Sequence, residues 1–212
     1  MTPPPFAHRK NMTPQQALEL LVEGNHRFYN NLVQPKNHHD LAILTKDAQA
    51  TFAGVLSCSD SRAPTELSFD QALGDIFSVR LAGNIASNKA IGSLEFACKH
   101  LGSKLVVVLG HTSCGAVKAA CDNFAEGHIG EITALIKPAV DLEISELGNR
   151  SSANINFLQK VCKLNVDMQI QRILAESQIL RELLDQNKIG LVGGIYNLET
   201  AQVSFIEEDM VF

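Results

Sequence analysis

The stretch Leu105-Val106-Val107-Val108-Leu109-Gly110-His111-Thr112-Ser113-Cys114-Gly115 decides the fold class. Five consecutive apolar residues, three of them β-branched, read as a strand buried on both faces. Gly110 ends the run, and a histidine and a cysteine follow at once. A second stretch has the same layout. Residues 52–57 form an apolar run that leads into Cys58-Ser59-Asp60-Ser61-Arg62. Two further runs, 76–81 and 189–196, also read as buried strands, and 203–206 as a short last strand that could run antiparallel. Helical patterns lie between them. Thr13-Pro14-Gln15-Gln16 opens one with a capping box and a proline at the first helical position. The others cover about 88–100, 129–147 with Pro138 as a kink or break, and 155–186. Residues 34–40 read as loop, 197–200 as a turn, and 1–12 as an extended arm. Alternation of strand and helix predicts an α/β fold with a mainly parallel sheet, in one domain over 1–212.

Composition narrows the function classes. With 18 basic and 23 acidic residues and a net charge of -5, the chain lacks the basic surface that nucleic acid requires. No apolar run is long enough to span a bilayer, so no membrane partner is expected. Pro3 to Pro5 and their polar neighbours do not form the apolar core of a secretory signal, and the expectation is a cytoplasmic protein. Five cysteines at irregular spacing, in a chain of 212 residues, point to metal binding or burial rather than to a disulfide framework.

In open α/β sheets the chemistry gathers beyond the carboxyl ends of the strands. Two such ends carry Cys58 with Asp60, and His111 with Cys114. Residues two apart on an extended segment point to one side, and residues three apart at a helical turn can converge. Two thiolates, an imidazole and a carboxylate suit Zn2+, and soft sulfur ligands argue against magnesium or calcium. A lone cysteine at a strand end is more often a small buried hydrophobe. Four such groups at two matching strand ends are harder to explain that way. A closed four-ligand site could still be purely structural. Arg62, two residues beyond Asp60, could hold that carboxylate off the metal and leave the fourth position to water, or it could simply brace the loop.

Cys58-Ser59-Asp60-Ser61-Arg62 and His111-Thr112-Ser113-Cys114-Gly115, about fifty residues apart, resemble the two signatures of the β-class carbonic anhydrases. Val79-Arg80-Leu81-Ala82-Gly83-Asn84 resembles the stretch between them, and a looser similarity runs from about Thr13 to Phe205. The resemblance implies four parallel strands plus an antiparallel one. It implies a homodimer or dimer-based tetramer in which the N-terminal helix, 13–33, packs on a partner. It implies one zinc per chain on Cys58, His111 and Cys114, with Asp60 as fourth ligand or as the partner of Arg62. The reaction would be attack of zinc-bound hydroxide on CO2 to give bicarbonate and a proton. By position, Gln49 matches a glutamine that bonds substrate. Phe77, Ala82 and Phe96 match apolar pocket positions, and the Gly115 amide lies beside the metal loop. Arg80 and Tyr196 match two members of a bicarbonate-binding regulatory site, but the chain has no tryptophan to complete it. The unregulated subtype with an open zinc position is therefore expected. Alternatives are a CS2 or COS hydrolase on the same fold and metal set, and a zinc-stabilised module without catalysis.

Overall fold

A computed structural model describes Arg9 and residues 11–211. Its centre is a five-stranded sheet in the order β2-β1-β3-β4-β5. The strands are β1 (Ala53–Ser57), β2 (Ile76–Arg80), β3 (Leu105–His111), β4 (Gly190–Tyr196) and β5 (Val203–Val211). The first four are parallel and β5 runs antiparallel to β4. Side chains alternate across the sheet as the period of two demands. Leu105, Val107 and Leu109 of β3 pack on one face with helix α1 (Pro14–Tyr29). Val106 and Val108 pack on the other, with α4 (Asn88–Lys99), α7 (Ile155–Glu176) and α8 (Gln178–Asp185). Both faces are covered, which is why β3 reads as an unbroken apolar run.

The strand order positions the site. The chain passes from β1 to its neighbour β2, then crosses back to pair β3 on the other side of β1. The carboxyl ends of β1 and β3 therefore flank the point where the winding reverses, and a crevice forms there in folds of this kind. Ser57 stands in register with Leu109, so Cys58 and His111 leave the sheet side by side.

Several expected boundaries move. The segment 34–40 is not all loop. Asn37 caps a helix, α2 (His38–Thr45), by accepting from the Asp40 amide at 3.3 Å. The single helix expected over 155–186 is two, because Ser177 ends α7 and caps α8. Its hydroxyl also donates to Glu95 Oε1 at 2.6 Å, which fixes the break against α4. Helix α6 (Ile129–Leu142) continues through Pro138 and stops five residues earlier than expected. Glu143 then collects the amides of Ser145 and Glu146 in a turn. Short helices α3 (Thr65–Ser68) and α5 (Gly115–Cys121) complete the set. The arm expected over 1–12 falls mostly outside the described residues. At Arg9 the chain is anchored, with Nη2 on Asp75 Oδ1 at 2.6 Å and Nη1 on the Ala50 carbonyl at 2.8 Å. Among the described residues no helix is long and apolar enough to cross a membrane.

Candidate metal centre

Each loop at the reversal point is held by backbone chemistry before any metal is considered. Arg80, the last residue of β2, turns its guanidinium onto the loop after β1. Nε donates to the Cys58 carbonyl at 3.0 Å and Nη2 to the Asp60 carbonyl at 2.6 Å. His111 is the last residue of β3, and Cys114 sits just before the first turn of α5. Between them Ser113 takes a left-handed φ of 58°, which swings the chain from strand to helix.

Donor atoms of Cys58, His111 and Cys114 lie within 4.8 Å of one another, and all three residues are buried. The sulfurs are 3.8 Å apart, and neither cysteine is in a disulfide. Two thiolates bound at about 2.3 Å to one tetrahedral ion would stand ~3.8 Å apart. His111 Nδ1 hydrogen-bonds the Thr112 carbonyl at 2.9 Å, an acceptor, so the proton belongs on Nδ1. The opposite nitrogen, Nε2, is left as a lone-pair donor. It is buried and makes no hydrogen bond among the described residues. An unsatisfied buried acceptor beside two sulfurs is costly unless an ion completes the set. In the protein alone the two thiols share a hydrogen bond. That bond pulls the Cys58 thiol down and pushes Cys114 up.

Asp60 stands beside this group. Its Oδ2 is 3.9 Å from His111 Nε2. Its closer contacts are with Arg62, whose Nε donates to Oδ1 at 3.0 Å and Nη2 to Oδ2 at 2.8 Å. The Arg62 amide adds a third bond to Oδ1 at 2.9 Å. This fork, chiefly the guanidinium, holds the Asp60 carboxyl well below the usual carboxylate range. The structure thus gathers three of the four candidate ligands and sets the fourth on the arginine.

The candidate pocket residues divide. Ala82 lies in a 3-10 turn over Ala82–Asn84, next to Gly83, whose amide approaches Cys58 Sγ at 3.4 Å. Gly115 opens α5 directly after Cys114. Gln49, Phe77 and Phe96 lie towards the other end of the sheet. Gln49 is exposed just ahead of β1, where Phe52 donates to the Asp75 carbonyl. Five residues of β1 put about 17 Å between that end and Cys58. Phe77 pairs with Gly54 near the start of β1, and its ring meets the half-exposed ring of Phe96 at 6.1 Å. Within one chain these three do not meet the candidate ligands. The other cysteines are plain core thiols. Burial pushes Cys98 and Cys162 up to about 12 and Cys121 to about 11.

The family model described as carbonic anhydrase matches residues 53–203, from β1 to the first residue of β5. The chain belongs to the β-carbonic anhydrase family. Carbonic anhydrase 2 of Mycobacterium tuberculosis is 32% identical over 195 residues, covering 89% of this chain and 91% of that one. The carbonic anhydrase of Mycolicibacterium smegmatis is 31% identical, with 91% and 93% covered. A solved structure of the Coccomyxa β-carbonic anhydrase with acetazolamide superposes with a TM-score of 0.69 at 26% identity, covering 88% and 85%. The matched region contains every ligand candidate of this carbonic anhydrase. No sequence signal marks Arg80 as the brace of the Cys58 loop, nor Thr112 as the group that sets the His111 tautomer. Both follow from adjacency: Arg80 ends the strand beside β1, and Thr112 is the residue after the ligand.

Proposed function

We propose that this enzyme hydrates CO2 reversibly to bicarbonate and a proton, with one Zn2+ held by Cys58, His111 and Cys114. The observation that supports it is the buried focus of two sulfurs and an orphaned His111 Nε2, beside a carboxylate already engaged by Arg62. When bound, zinc supplies a Lewis acid able to ionise water near neutral pH. The chain supplies the rest. Arg62 keeps Asp60 ionised and turned from the metal. Asp60 offers a fixed acceptor for a hydrogen of the attacking water, which aims its lone pair at carbon. Ala82 and the Gly115 amide border the same end of the sheet. Gln49, Phe77 and Phe96 would complete the pocket from a second copy of the chain, since β1 separates them from their own Cys58. This reading makes a homodimer the smallest active unit and places α1 at its interface. Without a tryptophan near Arg80 and Tyr196, the bicarbonate-regulated subtype is not favoured. Arg80 is also already committed to two carbonyls of the metal loop.

Metal analysis of the purified protein with stopped-flow CO2 hydration tests the proposal. The expected result is about one zinc per chain and a CO2 rate abolished by chelation. Zinc without CO2 turnover, but with CS2 or COS hydrolysis, would replace the substrate. Zinc without any turnover would leave a structural site.

A further inference from the structure

Cys58 receives a hydrogen bond from the Gly83 amide, and the turn that presents this amide is held from a distance. Gly83 and Asn84 take successive left-handed conformations, with φ of 71° and 45°. A side chain at Gly83 would also collide with Ile136 Cδ1, 2.6 Å from its Cβ position. Glycine and asparagine tolerate these angles, so contacts from outside the turn must set where it places its amide. Two side chains of α7 do so. Asn165 Nδ2 donates to the Gly83 carbonyl at 2.9 Å. Gln169 Oε1 accepts from the Ala86 amide at 2.8 Å. Gln169 Nε2 then donates to Asn165 Oδ1 at 3.0 Å and to the Leu135 carbonyl of α6 at 3.1 Å. The turn is clamped on both sides by one amide pair, itself tied to a second helix.

Burial makes this arrangement informative. Asn165 is 0% exposed and Gln169 1%, on a helix face otherwise built from Val161, Val166, Ile170 and Ile173. Apolar side chains would fill that volume without the cost of desolvating two amides. Fully satisfied buried networks fix one geometry, and the geometry fixed here ends on a ligand sulfur. A hydrogen bond to a thiolate withdraws charge from it. The direction and donor strength of a metal ligand are commonly set by such neighbours.

We propose that Asn165 and Gln169 are positioning residues for Cys58, acting through the turn 82–86 to hold the Gly83 amide on its sulfur. The proposal rests on the reading of Cys58 as a metal ligand. Loss of the clamp lets the turn relax and the N–H leave the sulfur. Cys58 then becomes a more electron-rich and less fixed donor.

The test uses the full-length chain loaded with zinc and, separately, with cobalt(II). Asn165→Leu and Gln169→Leu keep volume and remove the hydrogen bonds. Gln169→Glu keeps the acceptor for Ala86 and, held neutral by burial, one donor in place of two, so it gives a milder variant should the leucine proteins misfold. Ile173→Val, on the same helix but away from the turn, controls for lost stability alone. The clamp predicts zinc release to a chelator on the order of tenfold faster in Asn165→Leu. It also predicts a thiolate-to-cobalt charge-transfer band moved to lower energy. Gln169→Glu should shift both readouts the same way but less, and Ile173→Val should move neither. Folded Asn165→Leu or Gln169→Glu protein with wild-type zinc release and an unmoved cobalt band would overturn the proposal and leave a core brace. A wild-type protein that takes up neither ion would overturn the metal reading, and this proposal with it.

Discussion

Asp60 and Asp70 lie on the same segment between β1 and β2, and each is fixed by an arginine. Asp70, its side chain 1% exposed, accepts from Arg27 Nε at 2.6 Å and from the Gln34 amide at 3.2 Å, and it pairs with Lys36. These contacts tie the end of α1 and the segment after it to the body of the chain. They also border a cavity of 590 Å3 that none of the candidate metal ligands lines. Each charge at Asp70 has an opposite charge in contact, and the cluster asks for no further ligand. Asp60 Oδ2 instead stands 3.9 Å from a buried ring nitrogen without a hydrogen bond, which is itself grouped with two sulfurs. The contrast shows where chemistry sits in this molecule. Two sulfurs gathered around one ring nitrogen without a hydrogen bond mark the candidate site, whereas the buried charge of Asp70 is already paired.

The comparison breaks first if a ligand can be lost at little cost. Cys58→Ala, His111→Ala and Cys114→Ala should each abolish zinc binding and lower CO2 hydration by more than about 10^3-fold, read by metal content and stopped-flow rate. Cys98→Ala and Cys121→Ala should keep full zinc. Next comes Arg62→Ala, which should retain zinc yet lose about 10- to 100-fold in turnover, because Asp60 is no longer held off the metal. Arg62→Lys should recover only part, since an ammonium cannot make the fork. Asp70→Asn should do the reverse. It leaves Arg27 and Lys36 facing a neutral amide, so denaturant unfolding should show a loss of about 2 kcal/mol while metal content stays whole. The smallest effect is on pH. Burial alone would raise the Asp70 carboxyl, but Lys36 and Arg27 outweigh it and hold it low. A depressed folded value means that the stabilisation is present above the ordinary value of about 4 and is lost as pH falls through the folded one. Stability contributed by Asp70 should therefore be flat from pH 5 to 9 and decline only in acid. Asp60 is shifted the same way by Arg62, so its protonation cannot produce a fall in activity near neutral pH. Asp60→Asn should lower the plateau of the rate profile and keep its neutral limb.

Much of this was legible in the sequence, and for physical reasons. Strands β1 and β3 are covered on both faces, so continuous apolar character marked them, and the polar residues at their ends had to be loop or site. The capping box at Thr13 and Gln16 is made of local bonds, and it forms as the residues suggest. Features that depend on distant partners were not legible. Ser177 breaks the long helix because Glu95 waits for its hydroxyl. Asn37 starts α2 inside a stretch that looks like loop. Asn165 and Gln169 are polar residues on a long helix, and no local signal distinguishes an amide facing solvent from one clamping a turn 82 residues away. The pairing of Asp60 with Arg62 was visible as a possibility, since two residues separate them. Its geometry needed the Arg80 brace that shapes the loop. The burial of Asp70 depends on α1 and the segment after it folding back, which no nearby residue announces.

Two sulfurs and one imidazole should hold zinc at the reversal point of the sheet. X-ray absorption at the zinc edge of the purified, unmodified protein tests it most directly. Two sulfurs are expected at about 2.3 Å, with lighter N or O neighbours near 2.0 Å, one of them with the scattering of an imidazole. A zinc-free protein, or zinc with fewer than two sulfur neighbours, would contradict it.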